Sequence, residues 1–330
     1  MKKNVLITGV AGLIGSHLLD RLLFKSKYKV YGIDNLSVGS LDNIKYNLKN
    51  KNFKFHKIDI LDLKKMQKVL RRIDIIIHLA AAKKVGEVQS AITTLITNTK
   101  GTENILHLAE KNKAKVIIAS TSDVYGLSED LPFQEDNNLV VGPPTAKRWA
   151  YAASKMYDEQ LAMAYYKEKK LKVVILRYFG GFSARSNKSW SGGHIPIFID
   201  KVLNDEIIPI HGDGRQTRSM AYIDDIVRGT VLAMEKEKAV GEIINLGNDE
   251  EMAILDYVRL IHKLAKTGKK LRIKFIPMKN IFGDYKEIKR RIPDLTKAKR
   301  LLKYYPKVSI EDGIKITIDE MKRKTDGKNV

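Results

Sequence analysis

The chain has 330 residues, 44% of them hydrophobic, and no cysteine, so it can bury the core of one large or two coupled domains, while disulfides, thiolate nucleophiles and cysteine-based zinc sites are excluded. Its 60 Lys and Arg against 38 Asp and Glu give a formal charge of +22, but residues 261–330 hold 21 of the basic and 8 of the acidic side chains; these are spread through amphipathic segments with no nucleic-acid module, which reads as a lysine-rich solvated surface. No stretch approaches the 18 or more apolar residues of a membrane span, so the expected partners include neither nucleic acid nor membrane, and a cytoplasmic location is expected.

Met1-Lys2-Lys3 ahead of an apolar run imitates an export signal, but Gly9, Gly12, Gly15 and His17 interrupt the run, which reads instead as strand, turn and helix. Apolar, β-branched runs at residues 4–8, 30–33, 53–58, 73–78, 115–119 and 172–176 predict strands, with helical patterns at 13–24, 63–70, 93–110 and 150–166 between them. That alternation implies parallel strands joined by right-handed crossovers with helices on both faces, a Rossmann-type doubly wound α/β sheet. After Arg177 the texture changes: glycines cluster around a short helix at 197–203. A smaller C-terminal substrate-binding α/β region is therefore expected, discontinuous in sequence, with residues 1–177 and 220–247 forming the dinucleotide-binding domain and 178–219 and 248–330 the smaller one.

Three features carry chemistry. Gly9-x-x-Gly12-x-x-Gly15 joins the first strand to the first helix, where glycines permit a tight turn and close approach to a pyrophosphate, with the helix N-terminus adding partial positive charge. Asp34 closes the second strand, placed to accept hydrogen bonds from ribose hydroxyls; a carboxylate there repels a 2′-phosphate, which favours NAD over NADP. Tyr151 and Lys155 stand one helical turn apart, so an ammonium can sit beside a phenol and favour its phenolate as a base. No metal is expected, because His17, His56, His107 and His211 show no ligand spacing. Trp149 and Trp190 read as core or pocket wall.

These segments resemble the extended short-chain dehydrogenase/reductase family in its nucleotide-sugar epimerase/dehydratase branch. The resemblance rests on Leu6 to Gly15, Gly32-Ile33-Asp34-Asn35-Leu36-Ser37, His78-Leu79-Ala80-Ala81, Asn98 with Gly101-Thr102, Ser120 to Gly126, Tyr151 to Lys155, Gly212 to Arg218, Tyr222-Ile223-Asp224-Asp225 and Arg291-Ile292-Pro293-Asp294. It implies bound NAD held by Gly9, Gly12, Leu13, Ile14, Gly15, Asp34, Asn35, Asp59, Ile60, Leu79, Ala80, Ala81, Asn98, Tyr151, Lys155 and Tyr178. It implies a catalytic set of Thr121, Tyr151 and Lys155, joined by Asp123, and substrate contacts from Ser122, Arg185, Ile195, Arg218 and Arg291. Arg218 and Arg291 match positions that meet the diphosphate, a role suited to guanidinium forks. A homodimer and a nucleotide-sugar substrate, with a UDP-sugar favoured, follow by the same analogy.

One departure stands out. Relatives carry Asn after an Arg-Tyr-Phe and then Gly-Pro-Arg; this chain reads Arg177-Tyr178-Phe179-Gly180-Gly181-Phe182-Ser183-Ala184-Arg185. The chemistry implied begins with Tyr151 taking a proton from a sugar hydroxyl, at C4, as hydride leaves the carbon. Three fates of the 4-keto sugar remain open. Hydride return to the other face gives a 4-epimer and ranks first. Decarboxylation of a hexuronate, whose relatives carry Ser followed by an acid where this chain has Ser122-Asp123, ranks close behind. Dehydration, which wants an Asp-Glu pair there, ranks third. A catalytically silent dinucleotide sensor or nucleic-acid binder on the same fold is the alternative of another class, and the intact Thr121, Tyr151 and Lys155 argue against it.

Overall fold

A computed structural model describes residues 2–83, 90–146, 148–186, 193–278 and 288–326; Trp190 lies outside them. The first half alternates strand and helix: β1 (Lys3–Thr8), α1 (Leu13–Phe24), β2 (Tyr28–Asp34), β3 (Phe53–Lys57), α2 (Leu63–Val69), β4 (Ile75–His78), α3 (Ala91–Asn112), β5 (Lys115–Thr121), α4 (Trp149–Lys169) and β6 (Val173–Tyr178). Then follow β7 (Gly181–Phe182), α5 (His194–Leu203), β8 (Ile208–His211), β9 (Thr217–Ser219), β10 (Ala221–Tyr222), α6 (Ile223–Glu235), β11 (Ile243–Leu246), β12 (Glu251–Ala253), α7 (Ile254–Ala265), β13 (Ile273–Ile276), α8 (Thr296–Leu302) and α9 (Ile310–Asp326).

Seven strands form one sheet in the order β11-β6-β5-β4-β1-β2-β3, and every pairing in it is parallel. This is the doubly wound α/β sheet expected from the alternating pattern. Strand residues alternate between its two faces: Val5, Ile7, Ile117 and Val174 join a core with Leu18 and Leu22 of α1 and Val231 of α6, while Leu6, Val116, Ile118 and Ile175 join another with Met66 of α2, Leu106 of α3 and Ala162 of α4. Continuous apolar strands are thus explained by burial on both sides. Cutting one such leucine to alanine costs about 2–5 kcal/mol.

The register sets where chemistry can happen. Thr8 pairs with Ile33 on one side and His78 on the other, and Thr121 pairs with Tyr178. The C-terminal ends of β1, β2, β4, β5 and β6 therefore open along one edge, and the strand order reverses between β1 and β4, the position at which open α/β sheets bind ligands. Three two-stranded sheets, β10-β7, β12-β9 and β13-β8, stand outside the large one. Among the described residues no helix is long and apolar enough to cross a membrane.

Candidate active site

At the end of β1 the chain turns through Gly9, whose φ is +68° and whose Cα leaves no room for a side chain, since an added Cβ would stand 2.9 Å from the Ala80 nitrogen. A Cβ on Gly15 would meet the Gly9 carbonyl oxygen at 2.2 Å. The two glycines let the first turn of α1 close on the strand end. Gly12 is the N-cap of α1 with no side-chain cap, and its first turn carries no acid, so the Leu13 and Ile14 end of the helix keeps its partial positive charge for an anion. Asp34, buried at the end of β2, accepts from the Ala11 and Leu36 backbone N–H groups. Burial raises its carboxyl, and those two N–H groups oppose the rise. Asn35 donates to Asp59 at 2.7 Å, and Ile60 is buried beside them. Asn98 of α3 grips both backbone groups of Ala82 and donates to Ser154 of α4, clipping the Leu79-Ala80-Ala81 segment to the catalytic helix. An uncapped helix start, a glycine cradle and a buried carboxylate at the adjacent strand end fit a dinucleotide of the kind the resemblance implies.

The catalytic candidates come together. Thr121 ends β5 and accepts from the Asp123 N–H, capping the short 3-10 turn Ser122–Tyr125. Its hydroxyl also donates to the Asp123 carboxylate at 3.4 Å. Tyr151 is half-buried, and desolvation, then Asp123, then Asp158 push its phenol above the ordinary value, with Thr121 acting the other way. Lys155, expected to favour the phenolate, instead donates to Asp158 one helical turn on, at 3.1 Å, with the two side chains 2% and 0% exposed. The phenol therefore holds its proton more tightly than an ordinary tyrosine.

Asp123 is the most heavily surrounded acid of the site. Arg291 Nη1 donates to it at 2.6 Å, Lys83 Nζ lies at 3.5 Å and Arg148 at 4.0 Å. Burial alone would raise this carboxyl; Arg291, then Lys83 and Arg148, outweigh it and hold the group well below the usual carboxylate range. Lys83 also stands 5.2 Å from the centre of the Tyr151 ring, so three cations and one carboxylate share the space beside the phenol. The Nε of Arg291 is buried without a hydrogen-bond partner.

The remaining substrate candidates are dispersed. Ser122 and Ile195 are buried. Arg218 is anchored to the Thr217 and Ile288 carbonyls, and Arg185 to Asp20 and the Asn43 carbonyl. Tyr178 bonds Thr230 of α6. A Cβ at Gly180 would come 2.4 Å from the Met220 sulfur, so the thioether fills the space that the family gives to an asparagine. Sequence reasoning missed Lys83, Arg148 and Asp158. Arg148 and Asp158 lie at i−3 and i+7 from Tyr151, spacings that share its helix face; Lys83 carried no local signal.

A family model described as GDP-mannose 4,6 dehydratase matches residues 6–317. The chain is 39% identical over 321 residues to a UDP-N-acetyl-alpha-D-glucosaminuronate decarboxylase of Bacillus cytotoxicus, a match covering 96% of this chain and 97% of that protein. It is 34% identical to UDP-glucuronic acid decarboxylase 1 of Danio rerio, over 98% of this chain and 73% of that one. Among solved structures, a UDP-glucuronic acid 4-epimerase from Bacillus cereus, in complex with UDP-glucuronic acid and NAD, matches with a TM-score of 0.85 at 34% identity, over 97% of this chain and 99% of that one.

Proposed function

The chain belongs to the GDP-mannose 4,6 dehydratase family of NAD-dependent nucleotide-sugar enzymes, and on that premise we propose that it decarboxylates a UDP-hexuronate after oxidation at C4. The observation that carries this reading is the cluster of Arg291, Lys83 and Arg148 around an ionised Asp123. Its net positive charge beside Tyr151 suits a sugar that bears a carboxylate next to the carbon being oxidised. The two decarboxylase relatives support it independently.

NAD held by the glycine turn and Asp34 would supply a reversible hydride acceptor for C4. Tyr151 takes the proton of the C4 hydroxyl, which Thr121 at the end of β5 orients. Lys155, at the foot of the same helix face, supplies positive charge beneath the phenol and a donor for a ribose hydroxyl. Arg291, Lys83 and Arg148 hold the carboxylate. Once C4 is a ketone, C5 and C6 belong to a β-keto acid: the C5–C6 bond breaks, carbon dioxide leaves, and the electron pair becomes a C4–C5 enolate that takes a proton at C5 from water, while the proton on Tyr151 returns to the C4 oxygen with the hydride. Expulsion of carbon dioxide needs no proton donor. Dehydration, by contrast, needs a protonated acid near the C6 hydroxyl, and Asp123 is held ionised. The sequence ranking of 4-epimerisation ahead of decarboxylation is reversed here on the decarboxylase relatives.

A second reading, 4-epimerisation of the same hexuronate, is supported by the 34% identical epimerase and uses the same cation cluster. Product analysis separates the two. The division into a dinucleotide-binding part, 1–177 and 220–247, and a sugar-binding part, 178–219 and 248–330, is proposed with it. So is a homodimer, supported by exposed Ile92 and Ile96 on α3 and Tyr157 on α4; light scattering that gives a monomer mass would remove it.

A further inference from the structure

Beneath the catalytic helix runs a chain of buried polar groups that the reaction above does not use. Thr8, His78, Thr102 and Asp158 have essentially no solvent exposure. The Thr8 hydroxyl oxygen accepts from the Leu79 and Ala80 N–H groups at 3.1 and 3.0 Å, so its own proton is left for His78 Nδ1, 2.8 Å away. With Nδ1 accepting, a neutral His78 must carry its proton on Nε2, and that atom lies 3.2 Å from the Thr102 oxygen. Burial raises the Asp158 carboxyl above its ordinary value, while Lys155 and then Thr102 oppose the rise. Asp158 in turn receives Lys155 at 3.1 Å, while its Oδ1 has no hydrogen-bond partner of ordinary geometry.

We propose that Asp158 is a positioning residue for the Tyr151–Lys155 pair: it anchors the Lys155 ammonium and, through Thr102, His78 and Thr8, ties it to the Leu79-Ala80 backbone that packs on the glycine turn. This rests on the reading of Tyr151 as the base. The hydrogen-bond directions run one way, from the Ala80 N–H at the cofactor turn to the Thr102 hydroxyl, so each donor is fixed by the one before it. A buried ammonium with one proton committed to Asp158 has two left for the phenol and a ribose hydroxyl. Its place is thus set before any ligand arrives.

The other charged or titratable groups around this pair are Glu159 on α4, His78 on β4, Asp123 on the turn after β5 with its Arg291 partner, and Lys83, 5.2 Å from the Tyr151 ring. Glu159 is committed to Arg177, which it meets at 2.8 Å. His78 is held neutral, its pKa lowered to about 3 by burial and then by Lys155. Asp158 is therefore the buried anion whose loss acts on both members of the pair. Removing its charge makes the phenolate easier to form and the ammonium easier to deprotonate, so both limbs of the pH–rate profile move to lower pH. A merely structural role would reduce the amplitude and leave the limbs in place.

The experiment compares wild type with Asp158→Asn and Thr102→Val, measuring the pH dependence of the reduction of bound NAD by UDP-glucuronate in a single turnover and, separately, the NAD dissociation constant by calorimetry. Asp158→Asn is expected to shift both limbs down by about one pH unit, a tenfold change, and to weaken NAD several-fold. Thr102→Val, which keeps the ion pair but removes the hydroxyl that supports it, is expected to shift them in the same direction by less, and decides the matter alone if the first variant does not fold. Limbs and NAD affinity unchanged in the folded variants overturn the proposal. Tyr151→Phe run alongside distinguishes this from failure of the underlying reading, because retained turnover there would remove Tyr151 as the base.

Discussion

Arg291 donates to Asp123 at 2.6 Å across 168 positions of sequence. The contact joins the segment ahead of α8 to the turn after β5, and so connects the region expected to hold the sugar nucleotide with the catalytic end of the large sheet. Arg291 is 15% and Asp123 17% exposed, dry enough for the charges to act strongly on each other and open enough for an incoming carboxylate to compete.

That competition gives the first prediction. Arg291→Ala should raise KM for a UDP-hexuronate by about tenfold to a hundredfold, the size of a lost charge-assisted hydrogen bond. Binding of uncharged UDP-glucose, measured by calorimetry, should change far less. Equal losses for the two sugars would assign Arg291 to the diphosphate.

The phenol carries the second. Tyr151→Phe keeps the ring and removes the proton acceptor, so kcat should fall by about 10²–10⁴, the usual worth of general base catalysis. NAD should still bind with nearly wild-type affinity. Burial is the leading cause of the raised phenol pKa, so activity should also fall as pH drops below the phenol's cofactor-bound value, where it takes up its proton.

Much of this was legible before any coordinates. Continuous apolar, β-branched runs located six of the seven strands of the large sheet, because strands buried on both faces leave little choice of residue. Helix α1 was placed with both ends correct, since Gly12 marks its start and the leucine stripe its length. Tyr151 and Lys155 were readable because helical spacing fixes their common face. The Lys155–Asp158 pair was not seen, although Asp158 is only three residues on, because sequence does not say which of two neighbours a flexible ammonium chooses. Lys83 and Arg291 reach Asp123 through tertiary packing, and an isolated basic residue in a chain of charge +22 carries no mark of that. Gly180 looked like a lost contact; only packing shows Met220 filling the gap.

The cofactor turn makes the third prediction. Gly15→Ala sets a Cβ against the Gly9 carbonyl, a backbone atom that cannot swing aside. NAD affinity should drop at least about tenfold as the cradle opens, 1.4 kcal/mol or more. In wild type the Asp34 carboxylate should make NADP the weaker ligand by a similar factor. Calorimetric preference for NADP would contradict the role given to Asp34.

Three histidines, His78 buried and His17 and His194 half-buried, make the fourth. Burial is the main cause that lowers His17, His78 and His194 from 6.5 to about 3, aided by Arg185 and Lys324, by Lys155 and by Arg218 respectively. In the unfolded chain each takes up a proton near 6.5, so below that value the unfolded state binds more protons than the folded one. Stability must then fall as pH drops from 6.5 towards 3, by up to about 1.4 kcal/mol per pH unit for each histidine. Urea midpoints should fall steadily between about pH 7 and 5, above the carboxylate range; a flat profile would mean that these imidazoles are not held neutral.

The most direct measurement incubates the purified protein and NAD with UDP-glucuronate and with UDP-N-acetylglucosaminuronate, and identifies the product by mass and NMR. A nucleotide sugar lighter by one carbon dioxide, formed from at least one of them and absent with Tyr151→Phe, is the result predicted. A product of unchanged mass with inverted C4, or turnover of uncharged UDP-hexoses alone, would contradict decarboxylation at this site.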